Sequence, residues 1–304
     1  MMIIVVSDIH LGYNKCNKDL FKEFVDSRLT KLDKTDHLVL LGDLFDFWRK
    51  NCVEVAVEYE KDGSASNLVP TNKEGTITKK LYDLQKQTQV HYIIGNHDYS
   101  ILYFSQRLHS QRLCCFPFPV HRDLHLSMQG SDKKFYFIHG YEFEVLASFG
   151  FINIEEYEDI CQHLCDVRDT TIGKLESGIW EALHPRFAGK ISENHHDVVK
   201  SMLKRPEDRM KELHSFGKIS KDAIMPLLKP RNKIEELAMS PVARSIFIGG
   251  QPDEAIIFGH THSPFITDDK MVINSGSWVT DNDFHDTYVE IDNDGNANLR
   301  QYTL

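Results

Sequence analysis

The chain has 304 residues, of which 41% are hydrophobic and 26% are charged, so it can bury the core of one large domain or of two smaller ones. Its formal net charge of −10 at pH 7 argues against a broad nucleic-acid-binding face, because such faces carry an excess of Lys and Arg. No apolar run approaches the roughly 18 residues that a membrane-spanning helix needs, so the sequence predicts no transmembrane segment.

The first third of the chain alternates strand and helix patterns. Apolar, β-prone runs predict strands at residues 2–7, 37–41 and 90–94. Apolar side chains near a 3.6-residue period predict helices at 17–31 and 77–87, and a Gly-, Ser- and Asn-rich stretch at 62–75 predicts a loop. This β-α-β-α order predicts an α/β fold with its functional groups at the carboxyl ends of the strands.

The N-terminus and the cysteines suggest a cellular compartment. The chain starts with a predicted strand and not with a basic segment followed by a cleavage site, so we expect no signal peptide and a cytoplasmic location. The six cysteines are then expected to be reduced thiols. Cys161 and Cys165 are spaced i, i+4 on a predicted helix, which favours two buried small side chains over a zinc site, since no C-x-x-C pair occurs.

The second half of the chain separates into a helical middle and a strand-rich end. Helices are predicted at 154–166, 170–183, 192–213, 222–228 and 231–244, in a stretch with more acidic than basic residues. A hairpin is predicted around 129–132, and another turn at 292–295, which reads Asp-Asn-Asp-Gly. The predicted strands are 124–128, 135–138, 255–258, 271–274, 287–291 and 298–302.

Five short motifs occur in a fixed order, and each follows an apolar run. They are Asp8-Ile-His10, Gly42-Asp43-Leu-Phe-Asp46, Gly95-Asn96-His97-Asp98, His139-Gly140 and Gly259-His260-Thr-His262. Each motif alone is weak evidence, whereas five in order, each at a predicted strand end, make a purely structural origin improbable. Their carboxylate, amide and imidazole groups can hold two metal ions side by side, and this donor set suits Mn²⁺, Fe or Zn²⁺ better than Ca²⁺.

The local spacing also predicts how these side chains converge. In an extended chain, residues i and i+2 point to the same side, so we expect Asp8 and His10 to face one centre, and likewise His260 and His262. The glycines of the motifs predict tight turns where a side chain would crowd that centre.

The order and spacing of the motifs resemble those of the calcineurin-like metallophosphoesterase superfamily. This resemblance implies a four-layer α/β/β/α sandwich, with residues 1–140 and 255–304 as its core and 141–254 as a helical cap insertion. It also implies that Asp8, His10 and His262 hold a first metal and that Asn96, His139 and His260 hold a second. Asp43 would bridge the two, and Mn²⁺ is the expected ion. In the cap, Phe143, Phe149 and Phe151 either line the site or belong to the core.

The resemblance further implies a reaction. Two adjacent cations clamp a phosphoryl group and lower the pKa of a bound water, so we expect a metal-bridging hydroxide to attack phosphorus in line. His97 would protonate the leaving oxygen, Asp98 would orient His97, and Asp46 would support the Asp43 loop. For both aspartates, loop capping is the alternative. The segment Asn274-Ser-Gly-Ser277-Trp278 is either a further loop near the site or a plain turn.

Two branches of the superfamily match locally. Asp8-Ile-His-Leu-Gly12 and Gly42-Asp-Leu-Phe-Asp-Phe-Trp48 are similar to the UDP-2,3-diacylglucosamine hydrolase branch, which cleaves a nucleotide pyrophosphate. That branch typically has Arg where this chain has His97 and Asp where it has Tyr141, so the chemistry is transferred and the lipid substrate is not. We expect a phosphodiester or pyrophosphate substrate, such as a nucleotide derivative.

Two alternatives remain open. Ser7 to Tyr13 together with Gly95 to Asp98 also resemble SbcD-type DNA exonucleases, although the acidic net charge opposes nucleic-acid binding. A metal-free binding scaffold on the same fold is the other alternative, and the complete ligand set argues against it. The sequence leaves the oligomeric state open.

Overall fold

A computed structural model describes residues 1–49, 77–102, 119–128, 130–148, 154–167 and 234–304. The chain forms two compact units, Met1–His139 together with Asp253–Leu304, and Gly140–Pro252. Several predicted features lie outside the described residues: the loop at 62–75, the helices at 170–183, 192–213 and 222–228, and the side chains of Cys52, Cys114, Cys115, Phe149 and Phe151.

The first sheet carries the three N-terminal strands. Among the described residues its order is β11-β10-β1-β2-β3-β4, with β1 to β4 parallel and β10 and β11 antiparallel to their neighbours. The strands are β1 (Ile3–Val6), β2 (His37–Leu41), β3 (Gln89–Ile93), β4 (Val120–His121), β10 (Thr287–Ile291) and β11 (Ala297–Gln301). β1 and β2 are buried along their whole length, as their continuous apolar sequences predict for parallel strands.

The second sheet has the order β5-β6-β7-β9-β8 within the described residues. Its strands are β5 (Asp123–Ser127), β6 (Lys134–Ile138), β7 (Glu254–Phe258), β8 (Phe265–Ile266) and β9 (Val272–Asn274). The predicted hairpin is confirmed, because β5 and β6 pair antiparallel. The two-residue strands β4 and β8 are too short for a sequence pattern and were not predicted.

The two sheets pack face to face around one apolar core. Alternate residues point inward, as Ile3 and Val5 do on β1 and Phe135 and Phe137 on β6. The rest of this core consists of Val39, Leu41, Ile93, Met128, Ala255, Ile257, Ile273, Val289, Ile291 and Ala297. The predicted α/β class with two sheets and flanking helices is therefore confirmed.

Two helices flank the first sheet. Helix α1 (Lys18–Ser27) buries Phe21, Phe24 and Val25, and a 3-10 turn (Leu29–Lys31) follows it. The predicted helix at 17–31 therefore ends four residues early as an α-helix, where the backbone bends at Arg28 (φ −110°). Helix α2 (Ile77–Leu84) covers most of its predicted range.

The secondary structure that is described in the second unit is helical. It contains α3 (Tyr141–Ser148), α4 (Ile154–Val167), α5 (Ile234–Met239), α6 (Pro241–Ala243) and a π-helical turn (Arg244–Ile248). The helix predicted at 231–244 is interrupted because the Ser240 side chain caps a new helix that begins at Pro241. Helix α3 was not predicted.

Side chains of the second unit form a buried polar contact beside apolar packing. The Tyr141 hydroxyl donates to Glu158 Oε1 at 2.7 Å, and Phe143 is fully buried. Cys161 and Cys165 are both buried on α4, as predicted. Among the described helices, none combines the length and the apolar composition that a bilayer span requires.

Candidate metal centre

The five motifs all begin at strand ends. Strands β1, β2 and β3 end at Val6, Leu41 and Ile93, and strands β6 and β7 end at Ile138 and Phe258. Within each sheet these strands run parallel, so their carboxyl ends lie at one edge and bring the motifs together. Three groups of described side chains there have ligand atoms within 4.8 Å of one another: Asp8 with His10 and His262, Asp8 with Asp43 and His139, and His10 with Asp46 and His97.

The first cluster contains Asp8, His10 and His262. Asp8 Oδ1 lies 3.3 Å from His262 Nε2 and 3.8 Å from His10 Nε2. The two Nε2 atoms are 3.2 Å apart. Three potential ligand atoms therefore converge on one point, although His10 and His262 are separated by 252 positions in the sequence.

The second cluster contains Asn96, His139 and His260. Asn96 Oδ1 lies 3.1 Å from His139 Nε2 and 3.1 Å from His260 Nδ1. His139 and Asn96 are buried, and the imidazole planes of His139 and His260 are nearly perpendicular, with centroids 5.2 Å apart. An amide oxygen and two ring nitrogens thus meet on the other side of the site.

Asp43 lies between the two clusters. Its Oδ2 atom is 3.6 Å from His10 Nε2 and 3.3 Å from His139 Nε2. Its Oδ1 atom accepts a hydrogen bond of 2.9 Å from the backbone N–H of His97. One carboxylate oxygen is therefore fixed by the backbone, and the other faces both clusters.

The two carboxylate oxygens of Asp8 also have different environments. Its Oδ2 accepts from the backbone N–H of His260 at 2.9 Å. Its Oδ1 is buried and makes no hydrogen bond of acceptable geometry within the described structure. A buried carboxylate oxygen without such a partner is costly unless a cation or a proton satisfies it.

The backbone of these loops departs from the expected extended form. Asp8, His10, Asp43, His260 and His262 all have positive φ, between 53° and 66°. The expectation that Asp8 and His10 converge through strand alternation is therefore wrong in its mechanism, because each residue adopts a left-handed turn. Such a turn costs a non-glycine residue about 1–3 kcal/mol.

Backbone hydrogen bonds offset that cost. The N–H of Asp8 donates to Gly42 O at 3.1 Å, and the N–H of His10 donates to Asp43 O at 2.8 Å. The carbonyl of Asp8 accepts from the N–H of Trp278 at 3.0 Å. The first two motif loops and the segment at Trp278 therefore hold one another in place.

Glycines allow the loops to approach this closely. A Cβ atom at Gly95 would lie 2.0 Å from Asp43 Oδ1, and one at Gly259 would lie 2.4 Å from Asp8 Oδ2. Both contacts are far shorter than any real Cβ contact, so the predicted need for glycine at these positions is confirmed.

Three imidazoles are oriented through their Nδ1 atoms. His139 Nδ1 donates to Leu41 O at 2.9 Å, His10 Nδ1 lies 3.1 Å from Asp46 Oδ2, and His262 Nδ1 lies 2.9 Å from Asp281 Oδ2. These contacts make Nδ1 the donor, so that Nε2 is the nitrogen that a cation would ligate. Sequence reasoning missed Asp281, because no motif or spacing marks it.

The structure exchanges the roles expected for Asp46 and Asp98. Asp46 Oδ1 lies 3.1 Å from His97 Nδ1, so Asp46 and not Asp98 orients that imidazole. Asp98 accepts from the backbone N–H groups of Leu44 and Gly95, at 2.8 and 2.9 Å, and from the Tyr92 hydroxyl. The expected orienting role of Asp98 is therefore wrong, and its carboxyl supports the Asp43 loop.

His97 lies beside an aromatic wall. The Trp48 ring stacks on it with centroids 4.1 Å apart, and His10 contacts it edge-on at 4.8 Å. Arg49 contacts the other oxygen of Asp46 and covers the Tyr13 ring at 4.1 Å. The His97 ring is thus fixed by packing on one side and by the Asp46 carboxylate on another.

The charges of this centre are strongly coupled. Burial tends to raise the pKa of Asp8 and of Asp43, but neighbouring imidazoles, His139 first, outweigh it and leave both values well below the ordinary range. Burial opposes protonation of His139, yet the Asp43 and Asp8 carboxylates raise its pKa to about 10. His139 therefore carries a proton on both ring nitrogens when no cation is bound, and a cation at Nε2 would displace one of them.

The late loop lies beside the fifth motif. The Asn274 side-chain amide donates to Gly259 O and to Thr261 Oγ1, both at 2.9 Å. Ser7 Oγ contacts Ser275 Oγ at 2.7 Å. The segment 274–278 is therefore a support for the motif loops rather than a plain turn.

Comparisons with known proteins agree with the motifs. The model of the calcineurin-like phosphoesterase family matches residues 1–264. A search of curated proteins finds no match. Among solved structures, the chain matches the crystal structure of a cold-active protein-tyrosine phosphatase of a psychrophile, Shewanella sp., with 13% identity over 99% of this chain and 80% of that chain. The TM-score of 0.27 is too low to support a structural argument.

The family match covers well over half of the chain and contains all five motifs. Proteins of this family are metal-dependent phosphoric ester hydrolases and generally bind two divalent metals. On the strength of this match and of the ligand clusters at its strand ends, the chain belongs to the calcineurin-like phosphoesterase family.

Proposed function

We propose that this protein is a two-metal phosphoesterase that hydrolyses a phosphodiester or pyrophosphate bond. The observation that carries the proposal is the position of Asp43 Oδ2, which is 3.6 Å from the His10 imidazole and 3.3 Å from that of His139. A carboxylate oxygen placed between two ligand clusters is what a pair of adjacent cations requires.

The residues present fit such a pair of ions. The buried Asp8 Oδ1, which lacks a hydrogen bond of its own, supplies an oxygen that a cation would satisfy. The mixture of carboxylate, amide and imidazole donors suits Mn²⁺ first, with Fe or Zn²⁺ as alternatives. The first ion would be held by Asp8, His10 and His262 and the second by Asn96, His139 and His260, with Asp43 shared between them.

When bound, two such ions neutralise charge on the phosphoryl oxygens and lower the pKa of a coordinated water. The chain itself supplies a group for the leaving oxygen. Asp46 holds His97 Nδ1 at 3.1 Å, which leaves Nε2 to carry the proton that the leaving group needs. General acid assistance of this kind typically contributes 10²- to 10⁴-fold in rate.

The need for acid assistance favours substrates with poor leaving groups. An alkoxide or a nucleotide phosphate leaves more readily when it is protonated or its charge is stabilised, so a diester or a pyrophosphate fits His97 better than an activated monoester does. The net charge of −10 makes a small nucleotide derivative a better candidate than DNA. The predicted role of residues 141–254 as a cap that selects the substrate stays a prediction.

Turnover of bis-p-nitrophenyl phosphate tests the proposal. We expect the purified full-length chain to hydrolyse it with added Mn²⁺. Asp43→Asn should abolish turnover. His97→Ala should lower kcat about 100-fold or more on an unactivated nucleotide diphosphate ester, whose leaving oxygen needs a proton, and should lower it less on bis-p-nitrophenyl phosphate. Asp283→Asn, at an exposed position outside the motifs, serves as the control. Activity that needs no metal and survives Asp43→Asn would refute the proposal.

A substrate panel distinguishes the proposed function from the exonuclease and scaffold alternatives. Nucleotide diphosphate esters should be cleaved in preference to single- or double-stranded DNA at equal enzyme concentration. Catalytic cleavage of DNA with no turnover of the nucleotide esters would favour the exonuclease alternative. Absence of turnover on every substrate, with metal bound, would favour a binding scaffold.

A further inference from the structure

A short loop after the last motif contacts His262 at two points. Asp281 Oδ2 lies 2.9 Å from His262 Nδ1, and the Asn282 side-chain amide donates to the His262 carbonyl at 2.9 Å. One contact fixes the imidazole and the other fixes the backbone of the same residue. Asp281 and Asn282 together are called the His262 clamp below.

The clamp belongs to a loop that is tied down just before it. The N–H of Trp278 donates to Asp8 O at 3.0 Å, and the N–H of Thr280 donates to Lys15 O at 3.0 Å. Because the N–H of Trp278 is hydrogen-bonded to the carbonyl of Asp8, the loop is held against another member of the first cluster. The clamp therefore follows a backbone segment that these hydrogen bonds hold in place, so it can position His262.

His262 needs such a support more than the other imidazoles do. Its side chain is 18% exposed, whereas those of His10 and His139 are 2% and 0% exposed. Packing alone restrains a buried ring, but a partly exposed ring keeps rotational freedom unless a hydrogen bond removes it. The Asp281 contact also makes Nδ1 the donor, so that Nε2, 3.3 Å from Asp8 Oδ1, presents its lone pair to the cluster.

We propose that the His262 clamp is a positioning device that sets the metal affinity of the first cluster independently of the second. This inference rests on the two-metal function proposed above and adds Asp281 and Asn282 to it as positioning residues. The imidazole of His139 in the second cluster is oriented by a different contact, since its Nδ1 donates to Leu41 O. Loss of the clamp should therefore weaken one metal position and spare the other.

Metal titration of the full-length chain tests the inference without measuring activity. The metal-free protein is titrated with Mn²⁺ by calorimetry, and electron paramagnetic resonance distinguishes paired from single Mn²⁺ ions. The wild type should bind two ions and give the spectrum of a coupled pair. Asp281→Ala should weaken one binding step about 10- to 100-fold, the usual effect of removing a partner of a ligating His, and should give a single-ion spectrum at intermediate Mn²⁺ concentrations.

Two further variants separate the causes. Asp281→Asn keeps an oxygen that can accept from Nδ1 but removes the charge, so it should weaken the same step less than Asp281→Ala does. Asp283→Ala lies on the same loop and is exposed, so it should leave both steps unchanged. Near-ultraviolet circular dichroism of each metal-free variant should match the wild type, which establishes that the fold is intact.

The outcomes distinguish the inference from the function on which it rests. A wild type that binds fewer than two Mn²⁺ ions would overturn the two-metal proposal itself. Two wild-type ions with unchanged binding in Asp281→Ala would overturn the clamp alone. Equal weakening of both steps would also overturn it, because the loop would then act on the whole centre.

Discussion

Asp46 contacts two imidazoles that serve different purposes. Its Oδ2 lies 3.1 Å from Nδ1 of the proposed ligand His10, and its Oδ1 lies 3.1 Å from Nδ1 of the proposed acid His97. Although burial tends to raise its pKa, the neighbouring imidazoles, His97 first, keep the pKa well below the ordinary value, so the carboxylate stays charged. One side chain therefore orients both a ligand and the proton donor.

Asp46→Asn should accordingly lower kcat about 100-fold on an unactivated nucleotide diphosphate ester, because the amide cannot accept from both imidazoles. Asp98→Asn is the informative comparison. It replaces one of the two oxygens that accept from the Gly95 and Leu44 N–H groups with an NH2 donor, and should lower stability by about 1–3 kcal/mol, measured by urea unfolding. Full activity in Asp46→Asn would contradict the orienting role.

A second histidine pair lies away from the motifs and predicts acid sensitivity. His37 Nδ1 and His91 Nε2 are 2.9 Å apart on neighbouring strands, so one ring must accept from the other. Burial first, and then the charges of His37 and His121, lower the pKa of His91 to about 4. Burial likewise lowers the pKa of His37.

The sign of the effect follows from proton binding. Below the ordinary pKa of His the unfolded chain binds a proton at His91, whereas the folded chain does not until about pH 4. Stability should therefore fall as the pH drops from about 6.5 toward 4. His91→Gln should make the urea midpoint less dependent on pH between 7 and 5. An unchanged slope in the variant would show that His91 does not carry the effect.

At the scale of elements, strand ends and turns determine the centre together. Parallel strands bring the motifs to one edge, but the left-handed turns at Asp8, His10, Asp43, His260 and His262 aim the side chains. A strand continued by one more extended residue would move the next side chain to the opposite face. The conformation of the loops, and not that of the strands, therefore sets the direction of these side chains.

Helix α1 is coupled to this centre through aromatic packing. Phe24 is fully buried and contacts the rings of Trp278, Tyr288 and Tyr302, with centroids 4.8 to 5.2 Å away. Phe24→Ala should cost about 3–5 kcal/mol of unfolding free energy, measured by chemical denaturation. The neighbouring exposed Glu23→Ala should cost less than about 0.5 kcal/mol. A small loss in Phe24→Ala would mean that α1 is not part of the cooperative core.

At the scale of the whole molecule, the proposed ions link the centre to the stability of the unit that contains it. Carboxylates and imidazoles from both sheets meet there, so ions that bind only the folded chain should stabilise it. At 100 times its dissociation constant, one ion contributes about 2.7 kcal/mol, which corresponds to a rise in Tm of about 5–10 °C. Calorimetric melting with Mn²⁺ and with chelator checks this, and Asp43→Asn should remove most of the difference.

The amino-acid sequence alone predicts every described strand except β4 and β8, together with the order of the motifs and the family. Apolar runs, helical periods and the Asp-Asn-Asp-Gly turn depend on neighbours a few positions apart, and those patterns are visible in one dimension. The proposed ligands also follow from local motifs. The predicted reason why the Asp8 and His10 side chains point to one centre was wrong. The alternation rule assumed an extended backbone, whereas the chain makes left-handed turns there.

The groups that orient these proposed ligands become visible only in the folded structure. Asp46 and His97 are 51 positions apart, and His262 and Asp281 are 19 apart, with no spacing rule to connect them. The sequence could not show that Asp46 and not Asp98 orients His97, since each aspartate is the last residue of its motif. Hydrogen bonds between distant side chains depend on how the sheets pack and how each loop turns. The sequence therefore specified the chemical groups of the centre, and the packing of its loops decided which carboxylate serves which imidazole.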